Sequence, residues 1–481
     1  MVTADMQDMI VLLPGIMGSV LQQNGVDLWA ISGSSVLNFI KSFGAILEKL
    51  TLEADDQEID DLGDGIKATA LMPDRHIVPG LLKVDGYSAI SRMIQRNFKV
   101  TLGQNNNPTP ANYYEFPYDW RRDNRVAARQ LKRLIETQLP IWRNHTKDPD
   151  AKVIILAHSM GGLVARHYLE VMEGWPNCRM LVTFGTPYRG SVKALQYLAN
   201  GYKNLLVDLT EAVRSFTSLY QLLPIYQVVK TTNGYKRVAE IDTLPNVDRP
   251  RAEAARKFHL DIIEKVSEHQ NDTNYSKNFQ TVPVVGISQP TLQSAELTLM
   301  DETRKLVALE SLPGIENLPE AGDGTVPYVS AIPYEFSAQF RECTFIEQHG
   351  SLQNNVRVLE YLFNLLKRAR TGPGLLEALG PEKETTGISL DVDDLYLAGE
   401  PVEMHAKIIN PIEYPDMLEA RIEAENDVAV IHSSFKFDGL KWILIQEGLP
   451  PGLYRVEVNA RGVGEDSINA VHGLFEVNTS V

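Results

Sequence analysis

Residues Ile155-Leu-Ala-His-Ser-Met-Gly-Gly162 combine a short apolar strand, a serine and a glycine-rich helix start with no loop between them. This order is typical of a nucleophile elbow, in which a serine occupies a strained turn at the carboxyl end of a strand. The residues two before and two after such a serine must be small, and Ala157 and Gly161 meet that condition. The stretch therefore predicts that Ser159 is a nucleophile.

Apolar runs of strand length recur along the first 370 residues, at 9–13, 152–157, 180–184, 282–287 and 344–346. Segments with helical spacing of their apolar residues accompany them, at 125–142, 160–173 and 351–370. Continuous apolar strands suit a parallel sheet that is buried on both faces. Because strands and helices alternate, the pattern predicts an α/β fold with a mostly parallel sheet.

A serine needs a base to accept its proton, and the expected base is a histidine oriented by a carboxylate. In hydrolases with this elbow, the acid and then the histidine follow the serine along the chain. Asp323 lies between two glycines in Gly322-Asp-Gly-Thr-Val-Pro327, and His349 follows the apolar run at 344–346. We therefore predict Asp323 and His349 as the partners of Ser159, with Asp301 as the alternative acid.

Attack on an acyl carbon produces an oxyanion, which backbone N–H groups can stabilise. One donor should be the amide of Met160, the residue after the nucleophile. The turn Pro14-Gly-Ile-Met-Gly-Ser19 follows the first apolar run and is suited to supply the second donor through Ile16. We predict Ile16 and Met160 as the oxyanion hole.

The overall composition limits the classes of partner. The 481-residue chain has a net charge of −16, which argues against nucleic acid and against electrostatic binding to anionic lipid. Only two cysteines occur, the N-terminus lacks the basic start of a secretion signal, and no apolar run has transmembrane length. These features predict a cytoplasmic protein without a transmembrane segment, and they leave peripheral membrane contact open.

The sequence contains no GxxxxGK[ST], HExxH or CxxC motif, so it predicts no cofactor and no metal. The small acidic cluster Asp391, Asp393 and Asp394 lacks the remainder of a calcium-binding loop. Residues 51–64 hold seven acids and no base, a pattern that predicts a solvated surface loop.

The spacing of the elements indicates more than one structural unit. Residues 188–280 separate two predicted strands by roughly 90 residues, too long for a connector, and predict a helical cap over the carboxyl edge of the sheet. Residues 1–370 would then be the α/β domain, residues 371–387 a linker rich in Gly, Pro and Glu, and residues 388–481 an all-β sandwich.

The predicted β domain is strongly acidic. From residue 385 onward the chain has 17 acidic and 6 basic residues, a net charge of −11. This charge favours a basic protein surface as the partner of the β domain. Since every predicted catalytic residue precedes residue 350, we expect the hydrolase to survive removal of this region.

Five motifs occur in the order in which they occur in one enzyme family. They are Val11-Leu-Leu-Pro-Gly-Ile-Met-Gly-Ser-Val-Leu21, Phe116-Pro-Tyr-Asp-Trp-Arg121, Ala157-His-Ser-Met-Gly-Gly162, Gly185-Thr-Pro-Tyr-Arg-Gly-Ser191 and Gly322-Asp-Gly-Thr-Val326. Over residues 8–370 the chain thereby resembles the lecithin:cholesterol acyltransferase family, which includes lysosomal phospholipases. The resemblance implies an α/β-hydrolase fold, a lid beside an acyl pocket, a Ser159–Asp323–His349 triad, and Ile16 and Met160 as oxyanion donors.

Together these observations predict a serine hydrolase or acyltransferase of lipid or other carboxylic esters that works through an acyl-serine intermediate. Two alternatives stay open. In the first, the protein is an effector or assembly protein whose acidic β domain binds a partner while the hydrolase is secondary or inactive. In the second, the enzyme acts on small soluble esters or thioesters.

Overall fold

A parallel sheet of six strands lies at the centre of the first 370 residues in the computed structural model. Its strands are β1 (Met9–Leu13), β2 (Tyr113–Glu115), β3 (Val153–His158), β4 (Cys178–Phe184), β5 (Gln280–Gly286) and β6 (Cys343–Phe345). They lie in the order β6-β5-β4-β3-β1-β2, and every neighbouring pair is parallel. Five of the six coincide with the apolar runs of the sequence. The sequence does not indicate the edge strand β2, because Tyr113-Tyr-Glu115 is not a continuous apolar run.

The structure describes residues 3–29, 47–73, 76–78, 82–104, 109–202, 208–300, 303–311, 321–336, 343–370, 386–424, 430–464 and 468–478. The alternative acid Asp301 and most of the predicted linker therefore lie outside the described residues. Among the described helices, none is both long enough and apolar enough to cross a membrane.

Helices flank the sheet and bury the apolar side chains of its strands. The main ones are Ser88–Asn97, Asn124–Thr146, Gly161–Arg166 with its continuation His167–Val171, and Val356–Lys367. Short helical turns occur at Trp175–Asn177, Tyr328–Ala331, Tyr334–Phe336 and Leu352–Asn354. Every residue of β1 and β3 is buried, as expected for strands covered on both faces.

Small sheets surround this central unit. Ala4–Asp5 pairs with Phe98–Lys99, His76–Val78 pairs with Leu82–Val84, and a three-stranded sheet contains Ser19–Gln23, Val26–Trp29 and Ile66–Leu71. The strands between Ser19 and Val84 follow the turn after β1 and precede the helix Ser88–Asn97.

The segment between β4 and β5 contains strands as well as helices. Its helices are Val192–Asn200, Thr210–Ser215, Thr217–Tyr220, Val238–Glu240, Arg249–His269 and Thr273–Asn278. Its strands Val229–Thr231 and Gly234–Lys236 form one sheet with Ser294–Met300 and Thr303–Leu309. The sequence predicted helices alone within residues 188–280, because strands of three residues have no detectable periodicity.

Residues 386–478 form two antiparallel sheets. The first contains Gly387–Val392, Val402–Ile409, Trp442–Gln446 and Lys436–Phe437. The second contains Leu395–Leu397, Val471–Asn478, Gly452–Arg461, Met417–Ala424 and Val430–Ser434, with a parallel pair at its Leu395–Leu397 edge. Side chains of both sheets share one buried apolar cluster, which includes Met404 from the first sheet and Val456 from the second.

Most residues of the acidic segment 51–64 are exposed, as predicted, but the segment also contacts a buried arginine. Arg122 Nε lies 3.0 Å from Asp55 Oδ1, and both side chains are buried. The same guanidinium donates to the carbonyl oxygens of Ile59 and Asp60 at 2.9 and 2.8 Å. The segment thus surrounds the Arg122 guanidinium with a carboxylate and backbone carbonyl oxygens. Within the described part of the chain, no group of three or more His, Cys, Asp or Glu side chains is placed to hold a metal ion.

A charged histidine ties the helix Arg249–His269 to the central unit. His269 Nδ1 lies 2.9 Å from Glu170 Oε2, and His269 Nε2 lies 2.8 Å from Glu173 Oε2. Both ring nitrogens must donate to these carboxylates, so the imidazole carries both protons. Its hydrogen bond to buried Glu170, together with the one to Glu173, raises the pKa of His269 above the usual histidine range.

We expect this ion pair to stabilise the fold at low pH and to lose its effect at high pH. A raised folded-state pKa contributes stability fully below the unfolded value of about 6.5, and the contribution disappears as pH rises through the folded value. His269→Ala should therefore lower the melting temperature by a few degrees at pH 6 and by much less at pH 9. Thermal melts at both pH values measure this. The exposed His145→Ala is the matched control, and an equal loss for His269→Ala at both pH values would contradict the assignment.

Candidate functional site

Ser159 follows β3 directly and occupies a strained turn at the carboxyl edge of the sheet. Its backbone φ is +50°, an uncommon conformation for a residue with a side chain. The Ser159 N–H donates to the carbonyl oxygen of Phe184 at 2.9 Å, and the Ser159 carbonyl accepts from Gly162 N–H at 3.0 Å. The strand on one side and the helix Gly161–Arg166 on the other thus hold the turn in place.

The turn can form because two glycines let backbones approach it closely. A Cβ atom on Gly15 would lie 2.8 Å from the Cβ of Ser159, and one on Gly161 would lie 3.1 Å from the Cβ of Leu13. A side chain at Gly15 would therefore push the turn after β1 away from Ser159. The loss of that proximity would separate Ile16 from the serine.

The structure brings Ser159, Asp323 and His349 together, although they are far apart in sequence. Ser159 Oγ lies 2.9 Å from His349 Nε2, and His349 Nδ1 lies 2.7 Å from Asp323 Oδ2. All three residues are buried. The carboxylate can only accept, so His349 Nδ1 carries a proton and Nε2 is free to accept the serine proton.

The loop of Asp323 directs one carboxylate oxygen at the imidazole. The amides of Thr325 and Val326 donate to Asp323 Oδ1 at 3.0 and 2.7 Å, which leaves Oδ2 for His349. Gly185 has a φ of +57°, and a Cβ there would lie 2.8 Å from Asp323 Oδ2. A glycine at the end of β4 thus leaves space for the Asp323–His349 pair.

Both residues that the sequence predicted as oxyanion donors, Ile16 and Met160, lie next to Ser159 in the structure. Met160 follows Ser159, and Ile16 lines the same small cavity as Ser159 and His349. In the part of the chain that the structure describes, neither amide donates a hydrogen bond. Tyr118 Oη donates to Pro14 O at 2.9 Å and thereby anchors the turn that carries Ile16.

His158 and Tyr87 form a buried series of hydrogen bonds that the sequence does not indicate. The Gly15 N–H donates to Tyr87 Oη at 2.8 Å, and the hydroxyl lies 2.9 Å from His158 Nδ1. His158 Nε2 lies 3.1 Å from the carbonyl oxygen of His349. Because a carbonyl only accepts, Nε2 carries the proton and Nδ1 accepts from the tyrosine.

This series of hydrogen bonds carries no charge, and it links the turn of Gly15 to the loop of His349. Burial, and then the proximity of His349, lower the pKa of His158 to about 3. The sequence offered no signal for this role, because Tyr87 is 71 residues from His158 and His158 looks like a mere neighbour of the nucleophile.

The cavity beside Ser159 is narrow and mostly apolar. Its volume is about 50 Å³, and side chains of the segment between β4 and β5 cover it, among them Ala194, Tyr197, Val213, Phe216, Leu219 and Leu222. Phe216, Leu219 and Leu222 contribute large apolar side chains to this lining.

Comparisons with known proteins identify a family. The family model for lecithin:cholesterol acyltransferase matches residues 81–331, just over half of the chain. No curated protein sequence matches this chain.

Among solved structures, a Bacillus licheniformis lipase, BlEst2 in its propeptide form, is 11% identical over 97% of this chain and 92% of that chain, with a TM-score of 0.31. An engineered protein is 11% identical over 74% of this chain, with a TM-score of 0.19, and this chain spans 60% of its length. At these scores neither likeness bears on the fold. The family match, over the residues that include Ser159 and Asp323, is sufficient by itself: the chain belongs to the lecithin:cholesterol acyltransferase family.

Proposed function

We propose that the protein is an α/β-hydrolase that cleaves or transfers the acyl group of lipid esters through an acyl intermediate on Ser159. One observation carries this proposal: Ser159 Oγ, His349 and Asp323 form a continuous hydrogen-bonded series at 2.9 and 2.7 Å. Membership in a family named for an acyltransferase of lecithin and cholesterol supports the choice of lipid esters.

In the first half-reaction, His349 Nε2 accepts the proton of Ser159 Oγ while the oxygen attacks the acyl carbon. The carbonyl π electrons move to oxygen, and the Ile16 and Met160 amides would donate to that oxyanion. Asp323 holds Nδ1–H and stabilises the imidazolium. The imidazolium then protonates the leaving alcohol oxygen as its bond to carbon breaks, which leaves the acyl group on Ser159.

In the second half-reaction, His349 removes a proton from water or from an acceptor alcohol, whose oxygen attacks the acyl-serine carbon. The bond to Ser159 Oγ breaks and the serine recovers its proton from the imidazolium. Water gives a carboxylic acid, and an alcohol gives a new ester.

The cavity beside Ser159 is too small for an acyl chain, so we propose that binding of a lipid needs a movement. Ligand pockets typically enclose about 300–1,000 Å³, whereas the space beside Ser159 measures about 50 Å³. We propose that the segment between β4 and β5 acts as a cap that opens to admit the acyl chain against Phe216, Leu219 and Leu222. A cap of this kind would also exclude water from the acyl intermediate.

Two tests separate this proposal from its alternatives. An inactive hydrolase within an assembly protein would not react with a fluorophosphonate under native conditions. A soluble small-ester hydrolase would react but would prefer short acyl chains.

Ser159→Ala should abolish fluorophosphonate labelling and lower ester hydrolysis by about 10³-fold or more, because only the hydroxyl forms the acyl bond. Labelling and hydrolysis of a short p-nitrophenyl ester measure this, with melting curves to establish that the variant is folded. Ser276→Ala, at an exposed helical serine, is the matched control. Retention of more than about a tenth of the activity by folded Ser159→Ala would show that the nucleophile lies elsewhere.

Asp323→Asn should lower kcat by roughly 10³- to 10⁴-fold without unfolding the protein. The carboxamide oxygen would accept from the amides of Thr325 and Val326, so its NH2 group would face His349 Nδ1 and favour the wrong imidazole tautomer. Steady-state kinetics on the same ester measure the loss, with Asp301→Asn as the comparison. The assignment fails if Asp301→Asn inactivates the enzyme while Asp323→Asn is benign.

The apolar lining of the cavity predicts that kcat/KM rises with acyl length from C4 to C12, since each buried methylene contributes about 0.8 kcal/mol at most. A series of p-nitrophenyl esters below their micellar concentrations measures this, with Ser159→Ala as the background. A maximum at C2 or C4 would favour the soluble-ester alternative.

A further inference from the structure

A strand of the C-terminal region contacts the loop that carries Asp323. Gln289 is fully buried; its amide nitrogen donates to Ile388 O at 3.2 Å and its amide oxygen accepts from Leu390 N–H at 3.1 Å. The backbone of Gln289 forms an isolated bridge with Asp323. The strand Gly387–Val392 is therefore connected to the acid loop through one side chain.

The same strand and its neighbouring sheet contact the residues that precede His349. Gln348 Nε2 donates to Leu390 O at 3.0 Å. Glu347 Oε2 lies 2.8 Å from His472 Nδ1, and Glu347 Oε1 accepts from His472 N–H at 3.1 Å. Both residues immediately before His349 thus bind the C-terminal region.

The residue that follows His349 is linked to this region through one intermediate. Asp85 N–H donates to the carbonyl oxygen of Gly350 at 2.9 Å, and Arg455 lies 3.0 Å from the Asp85 carboxylate. Residues after 386 therefore contact both sides of His349. They bind Glu347 and Gln348 directly, and they reach Gly350 through Asp85.

The Glu347 carboxylate is the most constrained of these contacts. It is completely buried and accepts from Asn355 and from the amide of Gln348, in addition to the two donors of His472. Burial opposes a charge on His472, but Glu347 raises the pKa of His472 above its usual range. Loss of one partner would leave an uncompensated buried charge, which is strongly destabilising locally.

We propose that the C-terminal β region is a positioning element of the active site, and that Glu347 and His472 are the positioning residues through which it aligns His349. This proposal rests on the proposed function for the reaction that is aligned. It replaces the expectation that residues 388–481 are a removable module. The physical reason is that His349 lies on a loop, whose precision depends on the groups that hold its neighbours.

The test uses the full-length chain with four substitutions. His472→Ala removes the contact, whereas His472→Asn retains a donor near the position of Nδ1. Gln348→Ala removes the hydrogen bond to Leu390 O and preserves the contact between Glu347 and His472. His432→Ala is the matched control, because this exposed histidine lies in the same C-terminal region.

We expect His472→Ala to lower kcat on a soluble short ester by about 10- to 100-fold, the cost of a misplacement near 1 Å, with KM nearly unchanged. His472→Asn should recover most of kcat, Gln348→Ala should lower it several-fold, and His432→Ala should leave it unchanged. Wild-type kcat in both folded His472→Ala and Gln348→Ala would overturn the proposal. If His472→Ala does not fold, Gln348→Ala decides alone.

A second measurement does not depend on catalysis. The low-field proton resonance of His349 Nδ1–H, assigned by its loss in His349→Ala, reports the hydrogen bond to Asp323. It should shift or broaden in His472→Ala and remain in His432→Ala. If the wild-type protein is inactive but this resonance responds, the proposed function is wrong and the positioning role stands. An unchanged resonance in folded His472→Ala overturns the positioning role even if the enzyme is active.

Discussion

Ser159 has a backbone φ of +50°, a conformation that a serine keeps only where its surroundings hold it. Here the turn is held by the hydrogen bond to Phe184 and by the close approach of Gly15 and Gly161. The parallel sheet makes this possible, because the carboxyl ends of β1, β3, β4 and β5 meet at one edge. Ser159 and His349 lie on the loops that follow β3 and β6 at that edge, and Ile16 lies on the turn that follows β1.

Three of the buried histidines, His158, His269 and His472, have different neighbours, and their pKa values shift in different directions. His158 is surrounded by a tyrosine hydroxyl and a backbone carbonyl, and burial keeps it neutral, with a pKa near 3. His269 and His472 lie against carboxylates, which raise the pKa of both. The neutral histidine supports the hydrogen-bond geometry near Ser159 without adding a charge. His269 and His472 connect outer segments to the central unit.

The C-terminal sheets and the segment between β4 and β5 contact the active site through different kinds of side chain. Phe216 and Leu219 cover the serine with apolar surface, whereas Gln289 and Glu347 connect the acid and histidine loops to the strands beyond residue 386. A substrate would therefore displace the apolar cover, while the polar contacts would remain. This division fits a site in which one wall opens and the other keeps the reacting groups aligned.

Local patterns in the sequence predict most of the parallel strands and the residue types at their ends. Apolar runs identify buried strands, and Ala157, Gly161 and the glycines around Asp323 follow local steric rules that operate within a few residues. The sequence did not indicate β2 or the short strands within residues 188–280. It also did not indicate the hydrogen bonds of Tyr87 with His158, or the pair formed by Glu347 and His472. The position of β2, the contact of Tyr87 with His158 and the pair of Glu347 with His472 each join residues that are tens to hundreds of positions apart. The pKa shifts of these histidines also depend on burial. Such contacts exist only after the chain has folded, so no local pattern in the sequence indicates them.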